Sequence, residues 1–135
     1  MKTRITILGS TGSIGVNTLD VVARHRDRFD VFALSAATRV DLMVTQCAQF
    51  KPAFAVMASD VHASELEQRL QAEGLPTRVL RGSDALDRIA SDPGVDAVMA
   101  AIVGAAGLSP CIAAARAGKR LLLANKDRKS TRLNS

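Results

Sequence analysis

One stretch constrains the fold more than any other: the run from Arg4 to Gly15, in which an apolar segment, Ile5 to Leu8, leads straight into Gly9, Gly12 and Gly15. An amphipathic segment follows at once. That order makes a strand, a tight turn and a helix whose first turn is bare. Gly9 lets the chain turn sharply, and Gly12, without a Cβ, lets a pyrophosphate approach the backbone. Gly15 is in phase with Leu19, Val22 and Ala23, on the helix face that must press against the strand. The free N–H groups and the positive helix end favour a phosphate dianion. Ser10, Thr11 and Ser13 add hydroxyl donors. The spacing is G-x-x-G-x-x-G, one residue longer in its first gap than the commoner dinucleotide fingerprint. The bland alternative is a tight turn with no ligand; the position of the loop, after a strand and before a helix, favours a nucleotide.

The rest of the chain alternates in the same way. Strands are expected at Ile5 to Leu8, Val31 to Ser35, Phe54 to Ala58, Thr77 to Leu80, Val95 to Ile102 and Leu121 to Ala124. Helices are expected at Ser13 to His25, Asp41 to Phe50 with Asp41 as a cap, Val61 to Glu73, and Ser83 to Ala90 with Ser83 as the cap. A last helix runs from Ser109-Pro110 to Gly118, cap first and then Pro at the first helical position. Glu65 with Arg69, and Asp84 with Arg88, stand four apart as surface pairs. Strands alternating with helices imply right-handed crossovers and an α/β, Rossmann-like, doubly wound parallel sheet with the first strand central. Ala, Val, Leu and Ile dominate the apolar residues and Phe is the only aromatic, as in a sheet covered on both faces.

Composition excludes other classes. The formal charge is +5, but part of it sits in the last nine residues, where Arg128, Lys129 and Arg132 face only Asp127. Arg24, Arg26 and Arg28 gather with His25 at a helix end, which reads as a solvated C-terminus. Without interleaved aromatics, nucleic acid is not an expected partner. The span Ala97 to Ala115 carries no charge, but Gly104, Gly107, Ser109 and Pro110 interrupt it, so it reads as strand, turn and helix and not as a membrane span. Cys47 and Cys111 stand far apart within expected helices, as small core residues of a reducing compartment. A cytoplasmic protein is expected, with Met1 leading directly into a strand.

In such a sheet, ligands sit at the carboxyl ends of the strands. An NAD site places an acid on the ribose about 20 residues beyond the glycines. Here that region reads Ser35-Ala36-Ala37-Thr38-Arg39, with no acid and one guanidinium. Arg suits a phosphate, which argues for NADP over NAD; otherwise Arg39 is an ordinary exposed loop residue. Ala101 to Gly107 is a run of small residues that either admits a flat ring or packs a helix tightly. Ala124-Asn125-Lys126 ends the last strand, where Lys126 either holds a substrate phosphate or is a solvated strand end. His25 and His62 have no partners at metal-ligand spacing.

Three blocks together, Leu8 to Gly15, Ala100 to Leu108 and Leu122 to Lys126, resemble 1-deoxy-D-xylulose 5-phosphate reductoisomerases. The resemblance covers residues 1 to 126 and implies the N-terminal, NADPH-binding domain of such an oxidoreductase. That family rearranges 1-deoxy-D-xylulose 5-phosphate, a phosphorylated sugar, and reduces the product with NADPH to 2-C-methyl-D-erythritol 4-phosphate, in non-mevalonate isoprenoid biosynthesis. It needs a divalent metal, Mg or Mn, and its full-length members are expected to be homodimers. By motif, the cofactor contacts would come from the loop Gly9, Ser10, Thr11, Gly12, Ser13, Ile14 and Gly15, and from Asn125; Lys126 would touch the substrate. The family's second cofactor loop, often Gly-Lys-Asn, reads Ala37-Thr38-Arg39 here, a departure that keeps one basic group.

Residues 127 to 135 depart altogether. Where the family continues with Glu, this chain reads Asp127 to Ser135, which matches a translated sequencing adaptor codon by codon. The tail is expected to be non-native, disordered and dispensable, and the metal ligands to lie outside this chain. The fragment is expected to bind cofactor without turnover. Two rivals are NADP enzymes: an extended short-chain dehydrogenase, whose Tyr this chain lacks, and a semialdehyde dehydrogenase type, which would need a nucleophilic Cys such as Cys111. A third is a non-catalytic nucleotide-binding module.

Overall fold

The computed structural model describes residues 2–102, 108–124 and 133–134. Strand β1 (Thr3–Leu8) is followed by helix α1 (Ser13–Arg24), β2 (Phe29–Ala36), α2 (Val40–Phe50), β3 (Phe54–Met57) and α3 (Asp60–Ala72). Then come β4 (Arg78–Arg81), α4 (Ser83–Ser91), β5 (Ala97–Ala100), α5 (Leu108–Arg116), β6 (Arg120–Ala124) and the two-residue β7 (Leu133–Asn134). The sheet order is β4-β3-β2-β1-β5-β6-β7. Strands β1 to β6 are all parallel, so β1 is central, as the alternation predicts. The chain runs outward from β1 in one direction through β2, β3 and β4, then returns to the other side of β1 with β5. That reversal opens the sheet's crevice between β1 and β5.

The sheet is covered on both faces because its strands are apolar on both. Ile5 and Ile7 of β1 join Leu19 and Val22 of α1, Met43 and Cys47 of α2, and Leu66 and Leu70 of α3 in one core. Leu8, one residue out of phase, joins Ala85 and Ile89 of α4 and Ala114 of α5 in the other. Thr6 shares that second face, and its hydroxyl donates to the Ile89 carbonyl at 2.7 Å, so the one polar residue inside β1 is satisfied.

Several local expectations give way to longer-range contacts. Asp41 does not cap α2: the helix starts at Val40, and Arg39 occupies the cap position with no side-chain bond. Arg69 pairs with Asp41 across the α2–α3 contact at 2.7 Å, not with Glu65 on its own helix. Arg88 lies 5.1 Å from the Phe54 ring centroid instead of pairing with Asp84. An i,i+4 pair on a helix surface is worth only about 0.2–0.5 kcal/mol, so any competing partner decides the outcome. Ser83 is the first residue of α4, behind Gly82 at the cap position. Helix α5 already begins at Leu108, and the Ser109 hydroxyl bridges to the Asp87 carboxylate of α4 at 2.8 Å, so neither serine is the expected cap. Strand β5, Ala97–Ala100, is shorter than expected, although the Asp96 N–H still donates to the Arg4 carbonyl at 2.9 Å and the Ala101 N–H to the Leu8 carbonyl at 3.0 Å, one residue beyond each end. Two of the arginines at the end of α1 have local partners: Arg24 pairs with Asp20 at 3.0 Å and Arg26 lies 5.2 Å from the Phe50 ring centroid. Within the tail expected to lack structure, Leu133–Asn134 pair antiparallel with Leu123 and Ala124. Among the described residues no helix is long and apolar enough to cross a membrane.

Candidate functional site

The glycine loop sits at the carboxyl end of β1, beside the reversal point. Gly9 takes φ +81°, a left-handed conformation that favours glycine, and a Cβ there would lie 3.0 Å from the Ala101 carbonyl oxygen. Gly12 is extended at the cap position of α1, φ −79° and ψ 172°. A Cβ on Gly12 would meet only the Gly9 carbonyl oxygen, at 3.7 Å, so the space in front of it is open. Gly15 is the opposite case: a Cβ there would lie 2.3 Å from the Gly9 carbonyl oxygen and 2.6 Å from Ser10 Cα. Helix α1 therefore presses on the loop itself at Gly15, and on the sheet through Leu19 and Val22.

The first intrahelical bond of α1 runs from the Val16 N–H to the Gly12 carbonyl at 2.9 Å. The N–H groups of Ser13, Ile14 and Gly15 precede it and have no acceptor within the helix. No side chain caps this end and no acid stands in the first turn. A cradle with open space before Gly12 and bare donors behind it fits a pyrophosphate. Nothing local competes for those donors.

Ser10 points the other way. It is fully buried, its hydroxyl donates to Gln46 Oε1 at 2.7 Å, and its N–H donates to the Ser35 carbonyl at 2.8 Å. Ser35, at the distance from the glycines where an NAD site carries its acid, is turned onto the loop as well: its Oγ accepts from the Gly9 N–H at 3.0 Å. Thr11 remains beside the cleft. Ala37, Thr38 and Arg39 follow β2 and are exposed; the nearest acid in the chain, Asp41 in the first turn of α2, is paired with Arg69. Gln46, from the buried face of α2, was not signalled by any motif; the available clue was a lone polar residue at helical spacing among Met43, Cys47 and Phe50.

Between these elements lies a cleft of about 440 Å³, lined by Gly9, Thr11 and Gly12, by Ser35, Ala36 and Ala37 after β2, and by Val56 and Ala58 at β3. Gly82, Ser83 and Leu86, at the start of α4, close the far wall, a contribution the sequence reading did not include. Ala101 and Ile102 line the side toward β5. The remainder of that small-residue run, Val103 to Gly107, lies outside the described residues, as do Asn125 and Lys126.

The cysteines offer no nucleophile. Burial pushes the Cys47 thiol up to about 11, against a smaller opposing effect of the Thr77 hydroxyl. Cys111 is half-buried, less enclosed than expected, and burial raises its thiol too. A reactive cysteine needs the reverse shift. Among the described residues no three His, Cys, Asp or Glu side chains converge as a metal site.

The sequence model of a family described as 1-deoxy-D-xylulose 5-phosphate reductoisomerase matches residues 5–128. Reductoisomerases of that name from Aromatoleum aromaticum and Cupriavidus metallidurans are 59% and 62% identical over 124 residues, across 92% of this chain and 31% and 32% of their own. The chain thus spans about a third of the length of the curated relatives it matches. Among solved structures, a DOX-P reductoisomerase in complex with NADPH, fosmidomycin and magnesium superposes with a TM-score of 0.87 at 45% identity, over 93% of this chain and 30% of that one. The Zymomonas mobilis 1-deoxy-D-xylulose 5-phosphate reductoisomerase in complex with NADPH gives 0.85 at 38% identity, over 94% and 33%. Fold, loop and relatives agree, and the chain belongs to the 1-deoxy-D-xylulose 5-phosphate reductoisomerase family.

Proposed function

We propose that this chain is the NADPH-binding part of a reductoisomerase that converts 1-deoxy-D-xylulose 5-phosphate to 2-C-methyl-D-erythritol 4-phosphate. The observation that carries the reading is the bare N-terminus of α1 behind the open face of Gly12. The N–H groups of Ser13, Ile14 and Gly15, with the Thr11 hydroxyl, hold the pyrophosphate; Ser10 acts from inside the loop. The cleft floor of Ala36, Val56 and Leu86 offers an apolar seat for the adenine ring. NADPH, when bound, supplies the hydride for the reduction. Asn125 is assigned to the cofactor and Lys126 to the substrate phosphate by the family motif, the ammonium acting as a point charge. A divalent metal belongs to the whole enzyme; the described residues do not fit one, and no step through it is assigned to this chain. The whole enzyme is proposed to be a cytoplasmic homodimer and to carry the turnover. Residues 127 to 135 are proposed to be foreign to the domain. Sequencing the gene beyond the Lys126 codon tests that directly, and a native frame reading on as Asp127 to Ser135 overturns it.

Arg39 is proposed to read the 2′-phosphate of NADPH. It stands at the exposed rim before α2, where an NAD site would carry an acid. Arg39→Ala removes a charge-assisted contact worth roughly 1.5–3 kcal/mol. The expected result in a fluorescence titration is NADPH affinity lower by roughly tenfold to a hundredfold, with NADH affinity unchanged. Equal losses for the two cofactors would assign Arg39 another role.

A further inference from the structure

Gln46 is 5% exposed and lies on the core side of α2, more than thirty residues from the loop in sequence. Its amide nitrogen donates to the Ser10 carbonyl at 2.9 Å, and its Oε1 accepts from the Ser10 hydroxyl at 2.7 Å. One side chain thus satisfies two of the three buried polar groups of Ser10, its carbonyl and its hydroxyl. On the opposite flank Ser35 takes the Gly9 N–H on its hydroxyl and the Ser10 N–H on its carbonyl. The peptides that shape the turn between Gly9 and Thr11 are held from two directions by residues of β2 and α2. The connection between β2 and α2 is the Ala37–Arg39 segment. It is tied down by the Val40 N–H on the Thr38 carbonyl at 2.9 Å and the Met43 N–H on the Arg39 carbonyl at 3.1 Å.

We infer that Gln46 is a positioning residue for nucleotide binding: it holds the Gly9–Gly12 turn in its phosphate-accepting shape and fixes it relative to the Ala37–Arg39 rim. The inference rests on the cofactor reading given above. A buried amide with both ends paired is stable, whereas a buried carbonyl stripped of its donor is not. Without Gln46 the Ser10 carbonyl loses its donor and the Ser10 hydroxyl keeps only the Met43 sulfur at 3.9 Å, and the turn loses its single shape. The N–H groups at the start of α1 then no longer converge before the ligand arrives, and ordering them weakens binding. The pyrophosphate is common to both nicotinamide cofactors, so the loss falls on both, unlike the loss from Arg39→Ala.

The test uses Gln46→Met, which keeps volume and removes both hydrogen bonds, and Ser10→Ala, which removes one and is small enough to fold if the first variant does not. Two measurements are made on the chain. Hydrogen exchange in the free protein reads the Gly9, Ser10 and Gly12 amides, and titration reads NADPH and NADH. The expected result for Gln46→Met is roughly tenfold faster exchange at those amides, with about tenfold weaker binding of both cofactors. Ser10→Ala should shift both in the same direction by less. Unchanged exchange in the variants overturns the inference. Faster exchange with wild-type affinity for both cofactors overturns its binding half. A wild-type chain that binds neither cofactor sinks the functional reading instead, while the exchange data still decide whether Gln46 holds the turn.

Discussion

Gly15→Val is expected to cost this chain roughly 3 kcal/mol or more, enough to leave much of it unfolded at ordinary temperature. A Cβ at position 15 would fall 2.3 Å from the Gly9 carbonyl oxygen, 2.6 Å from Ser10 Cα and 2.8 Å from the Ser10 carbonyl carbon. All three are backbone atoms, so no rotamer change relieves the overlap. The loop cannot retreat either. Gly9 is pinned by Ser35, Ser10 by Gln46, and a Cβ's width beyond Gly9 lies the Ala101 carbonyl. The remaining escape is for α1 to lift, which would withdraw Leu19 and Val22 from their core. Even Gly15→Ala meets the same atoms and should lose about 1–3 kcal/mol. Chemical denaturation monitored by circular dichroism checks both. A Gly15→Val midpoint within error of wild type would show that α1 does not press on the loop as described.

How much of this could be read in advance follows from the range over which each signal acts. The periodic segments were legible because each element is patterned within its own length. Ile5 and Ile7 against Leu8 already announce a strand buried on both faces. The turn at Gly9 and the open cap position at Gly12 were legible because both lie between a strand and the helix directly behind it. Gln46 was not, since its partner Ser10 lies on a different element and no local rule links an amide on α2 to a turn after β1. Ser35 was visible as the residue at the end of β2, but not that its hydroxyl would accept from the Gly9 N–H, a contact between two strands' ends that no local pattern announces. The expected surface pairs failed for the same reason. Arg69 and Arg88 each found a partner on another element, Asp41 and the Phe54 ring, and the sequence carries no sign of which helix will lie alongside which. The far wall of the cleft repeats a legible pattern that was passed over. Gly82, between β4 and α4, and Ser83, the first residue of α4, form a second strand–glycine–helix junction, with Gly82 at φ +90°.

Gly12→Val separates the ligand from the fold. Gly12 sits in an extended conformation open to any residue, and its Cβ would make only an ordinary contact with the Gly9 carbonyl oxygen at 3.7 Å. Glycine is a fair residue at a helix cap and valine a poor one, so stability should fall by about 1 kcal/mol at most. The effect on the cofactor is of another order. A side chain at this position occupies the open space at the N-terminus of α1, where the pyrophosphate is proposed to lie. An isopropyl group there cannot rotate away from the backbone that bears it. Its presence both blocks the anion and excludes the close approach on which the N–H bonds depend. NADPH and NADH should each bind at least a hundredfold more weakly, a loss of roughly 3 kcal/mol. Calorimetric titration of the folded variant measures it, with the denaturation midpoint recorded on the same sample. A large loss of affinity beside a near-native midpoint is the signature of a cradle kept empty for phosphate. Near-native affinity in Gly12→Val would mean that the pyrophosphate does not rest on the N-terminus of α1, and the proposed cofactor site would have to be abandoned even though the fold stands.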